Sequence, residues 1–299
     1  MSEFHKHSND LKNWGRAFAF GIGLNVIFVV VEIIFGLVAN SSALLADAGH
    51  NASDVLSLVF AWAAIWIATK KPAGKYTYGL RRTTILASLL NAMLILAAAG
   101  LIAWHAVEKI RQPAEVASMI IVVVAGIGVV INTFTALLFI KGQKEDLNIK
   151  GAFFHMVADA IVSLGVVLAG LAIRYTGANW VDPLISLAIV AVIVYGTWGL
   201  LRDSVNLALD AVPKNVDIVK IRSFLEHLSG VEDVHDLHVW GLSTSETAMT
   251  VHIVAPDGKD DEFIFKVQNE LQKNYGIDHI TLQIETKFNN QDKCGQCIS

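Results

Sequence analysis

The sequence predicts an α-helical membrane protein with six transmembrane helices, followed by a C-terminal α+β domain of ferredoxin-like type. Three observations carry this. Apolar residues make up 54% of the chain and charged residues 17%, against roughly 45–50% and 25% in soluble domains. The apolar excess lies between Phe18 and Leu201, and the composition past Asp210 is that of an ordinary globular domain. Within the apolar part, six segments reach the roughly 20 residues that a spanning helix needs.

The expected spans run from Phe18 to Val38, Ala43 to Ala68, Thr84 to Val107, Met119 to Ile140, Gly151 to Ile173 and Pro183 to Leu201. Short polar connections make successive spans antiparallel, and an even number returns the chain to its starting side. Lys6, Lys12 and Arg16 precede the first span. Lys70, Lys71, Lys75, Arg81 and Arg82 occupy the second-to-third connection, and Lys141, Lys144 and Lys150 the fourth-to-fifth. The opposite face holds Lys109, Arg111 and Arg174. The excess of basic residues on one side predicts that both termini are cytoplasmic. The start, MSEFHKHSNDLKNWGR, is polar and lacks a short apolar core, so no cleavable leader is expected. A net charge of −4 averages two environments and excludes little. Cys294 and Cys297 are the only cysteines, which leaves no disulfide framework and no argument for an oxidising compartment.

Past Asp210 the pattern changes. Val216 to Leu228 and Glu262 to Asn274 have helical apolar spacing, whereas Val234 to Leu242, Ala248 to Val254 and His279 to Ile284 alternate as half-buried strands do. The order αββαβ reads most simply as a ferredoxin-like layer fold. The expected organisation is a tail over residues 1–16, a membrane domain over 17–210, a ferredoxin-like domain over 211–287 and a polar tail over 288–299.

Two HxxxD pairs stand out: His50 with Asp54, and His155 with Asp159, each inside an apolar span. Residues i and i+4 share one helix face, so each pair sets an imidazole beside a carboxylate. An ionisable residue in the hydrocarbon core costs about 2.5–3.5 kcal/mol on insertion scales and so marks a site by default. Brought together, the pairs would form an N₂O₂ set, the number and type of donors that tetrahedral Zn²⁺ takes. One pair alone would fit equally well as buried polar residues satisfied by neighbouring helices; two identical pairs favour the metal. Binding requires neutral imidazoles and ionised carboxylates, so metal and protons compete for the same atoms, and histidine exchanges its proton in the physiological range. That is the chemistry of a metal/proton exchanger.

Weaker signals surround these four. Asp47, three residues before His50, either orients the imidazole, accepts a proton, or lines a water-filled vestibule. Glu32, midway through the first span, is open between a proton relay and a hydrogen bond across helices. Asn132 fits a structural or vestibule role, and Asn91 and His105 fit packing. Asp182, beside Pro183, fits the ordinary cap of its own helix.

The pattern GxxxxSxALLADAxHxxxD from Gly36 to Asp54, YTYGLRR at Tyr76 to Arg82, the second HxxxD, VHDLHVW at Val234 to Trp240 and HITLQIE at His279 to Glu285 fall in one order along nearly the whole chain. In these motifs the chain resembles the cation diffusion facilitator family, and within it the bacterial branch that confers zinc, cobalt and cadmium resistance. The resemblance implies six spans, a cytoplasmic ferredoxin-like domain, a homodimer, and export of divalent metal against protons. HxxxD in both spans is similar to zinc-type members. In the soluble domain the resemblance points to His235, His252, Gln283 and Glu285 as a regulatory metal site, Gln283 standing where some relatives have a stronger donor. Strand alternation places His238 on the face opposite His235, among packing or dimer contacts. Some members carry a further metal site in the second-to-third connection. Here that stretch, KKPAGKYTYGLRR, has neither His nor Asp, so its cations are expected on lipid headgroups or cytoplasmic carboxylates. His5 and His7 in one tail and the CxxC of Cys294 and Cys297 in the other are candidate capture ligands, with a solvated tail as the alternative.

The expectation is a secondary transporter in a bacterial inner membrane, with Zn²⁺ and protons as substrates, Zn²⁺ also as a regulatory ligand, and no prosthetic group. No enzymatic activity and no nucleic acid partner are expected. The competing readings are an intramembrane zinc metalloenzyme, which would need an open metal position and a base as in HExxH, and a membrane-anchored metal sensor, which would not need ionisable residues in two spans.

Overall fold

A computed structural model describes residues 23–112, 114–140 and 147–287. In chain order the helices are α1 (Gly23–Val38), α2 (Ser42–Ala68), α3 (Thr83–Arg111), α4 (Ser118–Phe139), α5 (Leu147–Thr176), α6 (Val181–Ala208), α7 (Ile218–Glu226) and α8 (Asp261–Tyr275), with strands β1 (Asp233–Gly241), β2 (Thr247–Val254) and β3 (His279–Glu285). Among the described residues five helices, α2 to α6, are long and apolar enough to cross a membrane; α1 is a shorter apolar helix. The expected first span begins at Phe18, outside the described residues. The chain divides into two compact units: one holds residues up to Val59 and Asn91–Gly199, the other Phe60–Leu90 and the chain from Leu200 on.

In the first unit the helices pack through small residues. Ala39, Ala43, Ala46, Ala99 and Ala125 are buried with Phe28, Leu44, Ile121 and Val166. Small side chains let helix backbones approach where lipid gives no hydrophobic drive to associate. At Gly128 the approach is closest, since a Cβ there would lie 2.6 Å from Phe28 Cζ on α1.

The start of α2 is set by a residue far along the chain. Ser41 is the N-cap, its hydroxyl accepting from Leu44 N at 3.1 Å. The next two free amides, Ser42 N and Ala43 N, donate to Asp182 at 2.7 and 3.2 Å, and Ser41 Oγ donates to the same carboxylate at 2.5 Å. Asp182 is fully buried. Rather than capping its own α6, as its position beside Pro183 suggests, it therefore caps α2. Lys109 at the end of α3 lies 4.0 Å from it and donates to the carbonyl of Asn40, a residue in the left-handed region (φ 50) that turns α1 into α2. The helix dipole and the ammonium together balance the buried charge.

In the second unit β1 and β2 pair antiparallel, β2 and β3 parallel, in the order β1-β2-β3. With α7 and α8 this makes a small α/β domain with the expected order αββαβ. Asp217 caps α7 through Val219 N and Lys220 N, and the Lys220 amide holds its carboxyl below the usual range. Asp260 caps α8, which ends on left-handed Gly276. Ile221, Leu225, Val251, Ile253, Leu271 and Ile277 fill the core. The α2–α3 connection joins this unit through carboxylates, as one of its two expected outcomes: Arg81 pairs with Glu246 at 2.9 Å and Arg82 with Asp210 at 2.6 Å.

Removing the Asp182 carboxylate strands a buried lysine and two helix amides. Asp182→Ala is expected to cost about 3 kcal/mol or more, read as a lower unfolding midpoint in detergent, with Lys109→Met restoring part of it. An unchanged midpoint in Asp182→Ala would contradict the assignment.

Candidate metal centre

The two HxxxD pairs meet across α2 and α5 and interleave. His50 Nε2 lies 3.3 Å from Asp159 Oδ1, His155 Nε2 lies 3.4 Å from Asp54 Oδ2, and His155 Nε2 lies 3.7 Å from Asp159 Oδ2. Each histidine thus faces the other helix's aspartate. Donor atoms of His50, Asp54 and Asp159 all fall within 4.8 Å of one another, and His155 faces both aspartates. The facing oxygens, Asp54 Oδ2 and Asp159 Oδ1, are buried without a hydrogen bond. Charge-assisted N–H···O bonds close to about 2.7–2.9 Å; these gaps are wider. Four donors about 2.0–2.1 Å from a tetrahedral Zn²⁺ would stand about 3.3–3.4 Å apart, and two of the three gaps match that spacing.

A second layer of polar groups lies behind the cluster. Ser163 Oγ on α5 donates to Asp47 Oδ2 at 3.0 Å, and Asn51 Nδ2 donates to Glu32 Oε2 at 3.0 Å. Glu32 and Asp47 are fully buried, and their carboxyl groups face each other within hydrogen-bonding reach. One oxygen on each, Glu32 Oε1 and Asp47 Oδ1, receives no N–H or O–H. Asp47 touches Ser163 and Glu32, and no hydrogen bond joins it to the His50 ring. Among the described residues, the ion pairs of Asp54 and Asp159 involve histidine alone, with no lysine or arginine. Asn91 bonds Ser57 across α3 and α2 at 2.7 Å, and Asn132 is buried with neither amide atom bonded.

The C-terminal domain brings together His235, His252 and Glu285. His235 and His252 are direct cross-strand partners. His235 Nε2 lies 3.5 Å from Glu285 Oε2 and His252 Nδ1 2.9 Å from Glu285 Oε1. Gln283 lies beside these three, its amide donating to Glu285 Oε1 at 2.9 Å. His238 departs from strand alternation. A bulge between His235 and His238 sets Asp236 and Leu237 against one residue of β2, and the extra residue reverses the face of everything after it. Val234, Leu237 and Val239 face the core, while His235, Asp236 and His238 share the other side. The sequence carried a signal for this, since the apolar spacing in VHDLHVW lengthens by one between Val234 and Leu237. His5, His7, Cys294 and Cys297 lie outside the described residues.

Five membrane-length helices among the described residues and an α/β appendage define a multi-pass membrane protein, and His50, Asp54 and Asp159 are placed so that they could hold a cation. Residues 19–207 match the family model for the cation efflux transmembrane domain, and residues 213–287 that for the cation efflux protein cytoplasmic domain. The chain belongs to the cation efflux family, the cation diffusion facilitators that its motifs resemble, whose members are metal transporters and not enzymes. Similar proteins include a cadmium, cobalt and zinc/H(+)-K(+) antiporter of Bacillus subtilis, 32% identical over 90% of this chain and 88% of that one. The metal cation efflux system protein CzcD of Cupriavidus metallidurans is 33% identical over 95% and 90%. The zinc transporter ZitB of Escherichia coli is 32% identical over 95% and 93%.

Asp159 faces both imidazoles and Asp54 only one. In a His235→Ala, His252→Ala background, Asp159→Asn is therefore expected to weaken Zn²⁺ binding about tenfold more than Asp54→Asn, or about 1.4 kcal/mol, in competition titrations with a chromophoric chelator. Equal losses would contradict this geometry.

Proposed function

We propose that the protein exports Zn²⁺, with Cd²⁺ and Co²⁺ as further candidate cargoes, from the cytoplasm in exchange for protons. His50, Asp54, His155 and Asp159 are the tetrahedral transport site, opened alternately to each side of the membrane. The observation that carries this reading is the interleaving of the two HxxxD pairs at gaps of 3.3–3.7 Å, with two buried carboxylate oxygens left unbonded. Cargo and protons share the donors: Zn²⁺ takes neutral imidazoles and ionised carboxylates, and protonation of the same atoms expels it. Glu32 and Asp47 form the adjoining proton path, with a proton held between them while the metal is bound.

The rest of the architecture follows from this reading. The membrane domain, residues 17–210, has six spans, the first beginning near Phe18, and both termini are cytoplasmic in the inner membrane of a bacterium. Residues 211–287 form a ferredoxin-like cytoplasmic domain that joins two copies and binds regulatory Zn²⁺ through His235, His252 and Glu285, with Gln283 holding Glu285. The tails, residues 1–16 and 288–299, present His5, His7, Cys294 and Cys297 for metal capture. The relatives' printed names, which include cadmium, cobalt and zinc antiport, zinc transport and metal cation efflux, support the cargo class.

Reconstituted in liposomes at matched protein amounts, Asp159→Ala is expected to abolish Zn²⁺ flux. In the same assay His50→Asp should admit Mn²⁺ in competition with Zn²⁺, because a harder oxygen replaces a nitrogen donor. Near-normal Zn²⁺ flux in Asp159→Ala would sink the proposed site, and unchanged metal preference in His50→Asp would remove that residue from selectivity.

A further inference from the structure

Asn132 on α4 is fully buried, and neither its amide nitrogen nor its amide oxygen is bonded. A buried amide without partners costs stability rather than adding to it, so packing gives no reason for its presence. The facing helix supplies one. A Cβ at Gly128 of α4 would lie 3.2 Å from Ser163 Oγ on α5, and a Cβ at Gly170 of α5 would lie 2.9 Å from Val122 and 3.2 Å from Ile121 on α4. From the first contact to the second the chain steps back seven residues on α4 and forward seven on α5, so the two helices run antiparallel. Ile121, Ala125 and Gly128 thus form a stripe on α4 that faces Ser163, Val166 and Gly170 on α5. Asn132 is the next turn of the first stripe and Asp159 the next turn of the second. The register sets them level with each other. Asp159 is itself buried, faces both imidazoles of the cluster, and has Oδ1 unbonded.

We infer that Asn132 is a positioning residue of the cation site, whose amide holds the Asp159 carboxylate toward the ion from the α4 side. The inference rests on the proposal that His50, Asp54, His155 and Asp159 hold the transported cation. A carboxylate only accepts and an amide nitrogen donates, so it is the N–H end of Asn132 that turns to Asp159, directly or across one bridging water. Hydrogen bonds to ligating carboxylates orient them in this way generally. The neutrality of the amide matters. It directs the carboxylate without supplying the positive charge that the cargo brings, whereas a lysine at the same place would compete with the cargo. Asp159 has most need of such a partner, because it faces His50 and His155 together.

The test uses the full chain in detergent with His235→Ala and His252→Ala, so that Zn²⁺ binding reports on the membrane site. Asn132→Leu replaces the amide by an apolar side chain of the same branched shape. It should weaken Zn²⁺ by roughly 10–100-fold, read by competition with chelators of graded affinity. The metal-free unfolding midpoint should stay or rise, because an unbonded buried amide has been removed. In an Asp159→Asn background the same substitution should change Zn²⁺ affinity by no more than about twofold, the range of independent sites, while in Asp54→Asn its full effect should persist. A loss within about twofold in Asn132→Leu alone, or a loss as large with Asp159→Asn as without it, would overturn the inference. So would a lower unfolding midpoint, which would make Asn132 a packing residue. A parent that binds no Zn²⁺ would overturn the membrane site itself, and a parent that binds normally beside an unaffected Asn132→Leu would overturn the role of Asn132 alone.

Discussion

Ionised groups inside an apolar layer must be neutralised where they stand, and the membrane part of this protein is arranged around that constraint. A single charge at the bilayer centre costs about 2.5–3.5 kcal/mol even on lenient scales, and here Glu32, Asp47 and Asp159 are all but fully buried, with Asp54 beside them. Each carboxyl finds its own remedy. Asp182 takes the amino terminus of α2 and the ammonium of Lys109. Glu32 and Asp47 face each other and take one donor each, from Asn51 and Ser163. Asp54 and Asp159 have histidines alone. A pair of carboxylates with two neutral imidazoles lacks two positive charges, and those can arrive as one divalent cation or as protons. The exchange proposed for the protein is thus the two ways of meeting one electrostatic demand.

The same constraint links the outer structure to the site. Because α2 begins on Ser41 and is capped by Asp182, its axial position is tied to α6, and the turn that brings His50 and Asp54 toward α5 is fixed with it. Ser163 bonds Asp47 across α2 and α5, the two helices that carry the HxxxD pairs. Close approach of α1 and α4 at Gly128 needs a small residue, and Ala43 and Ala46, two turns and one turn before His50, are buried in the same core. Packing through small residues brings backbones near enough for short polar side chains to reach one another.

The membrane-length helices, the strand order and the two HxxxD faces were legible because all of them depend on local periodicity. Apolar length marks a span, i to i+4 spacing marks a face, and alternation marks a strand, so the HxxxD pairs and the αββαβ order needed no partner to be recognised. The partners themselves were not legible. Nothing local tells that Asp182 caps a helix 140 residues upstream, or that Ser163 and Asn51 hold Asp47 and Glu32, because hydrophobic patterning is silent about which polar groups meet across helices. His238 shows the intermediate case. Strict alternation misplaces it, yet the three-residue step from Val234 to Leu237 already records the bulge that brings it beside Asp236.

In the proposed exchange, metal and protons compete for one set of side chains. Its most direct test is to follow Zn²⁺ and lumenal pH together in proteoliposomes, with a potassium ionophore clamping the membrane potential. Zn²⁺ entering through the protein should drive protons out in fixed proportion, and an imposed proton gradient should move Zn²⁺ uphill. Zn²⁺ flux of undiminished rate with no accompanying proton movement, and no response to the imposed gradient, would contradict it.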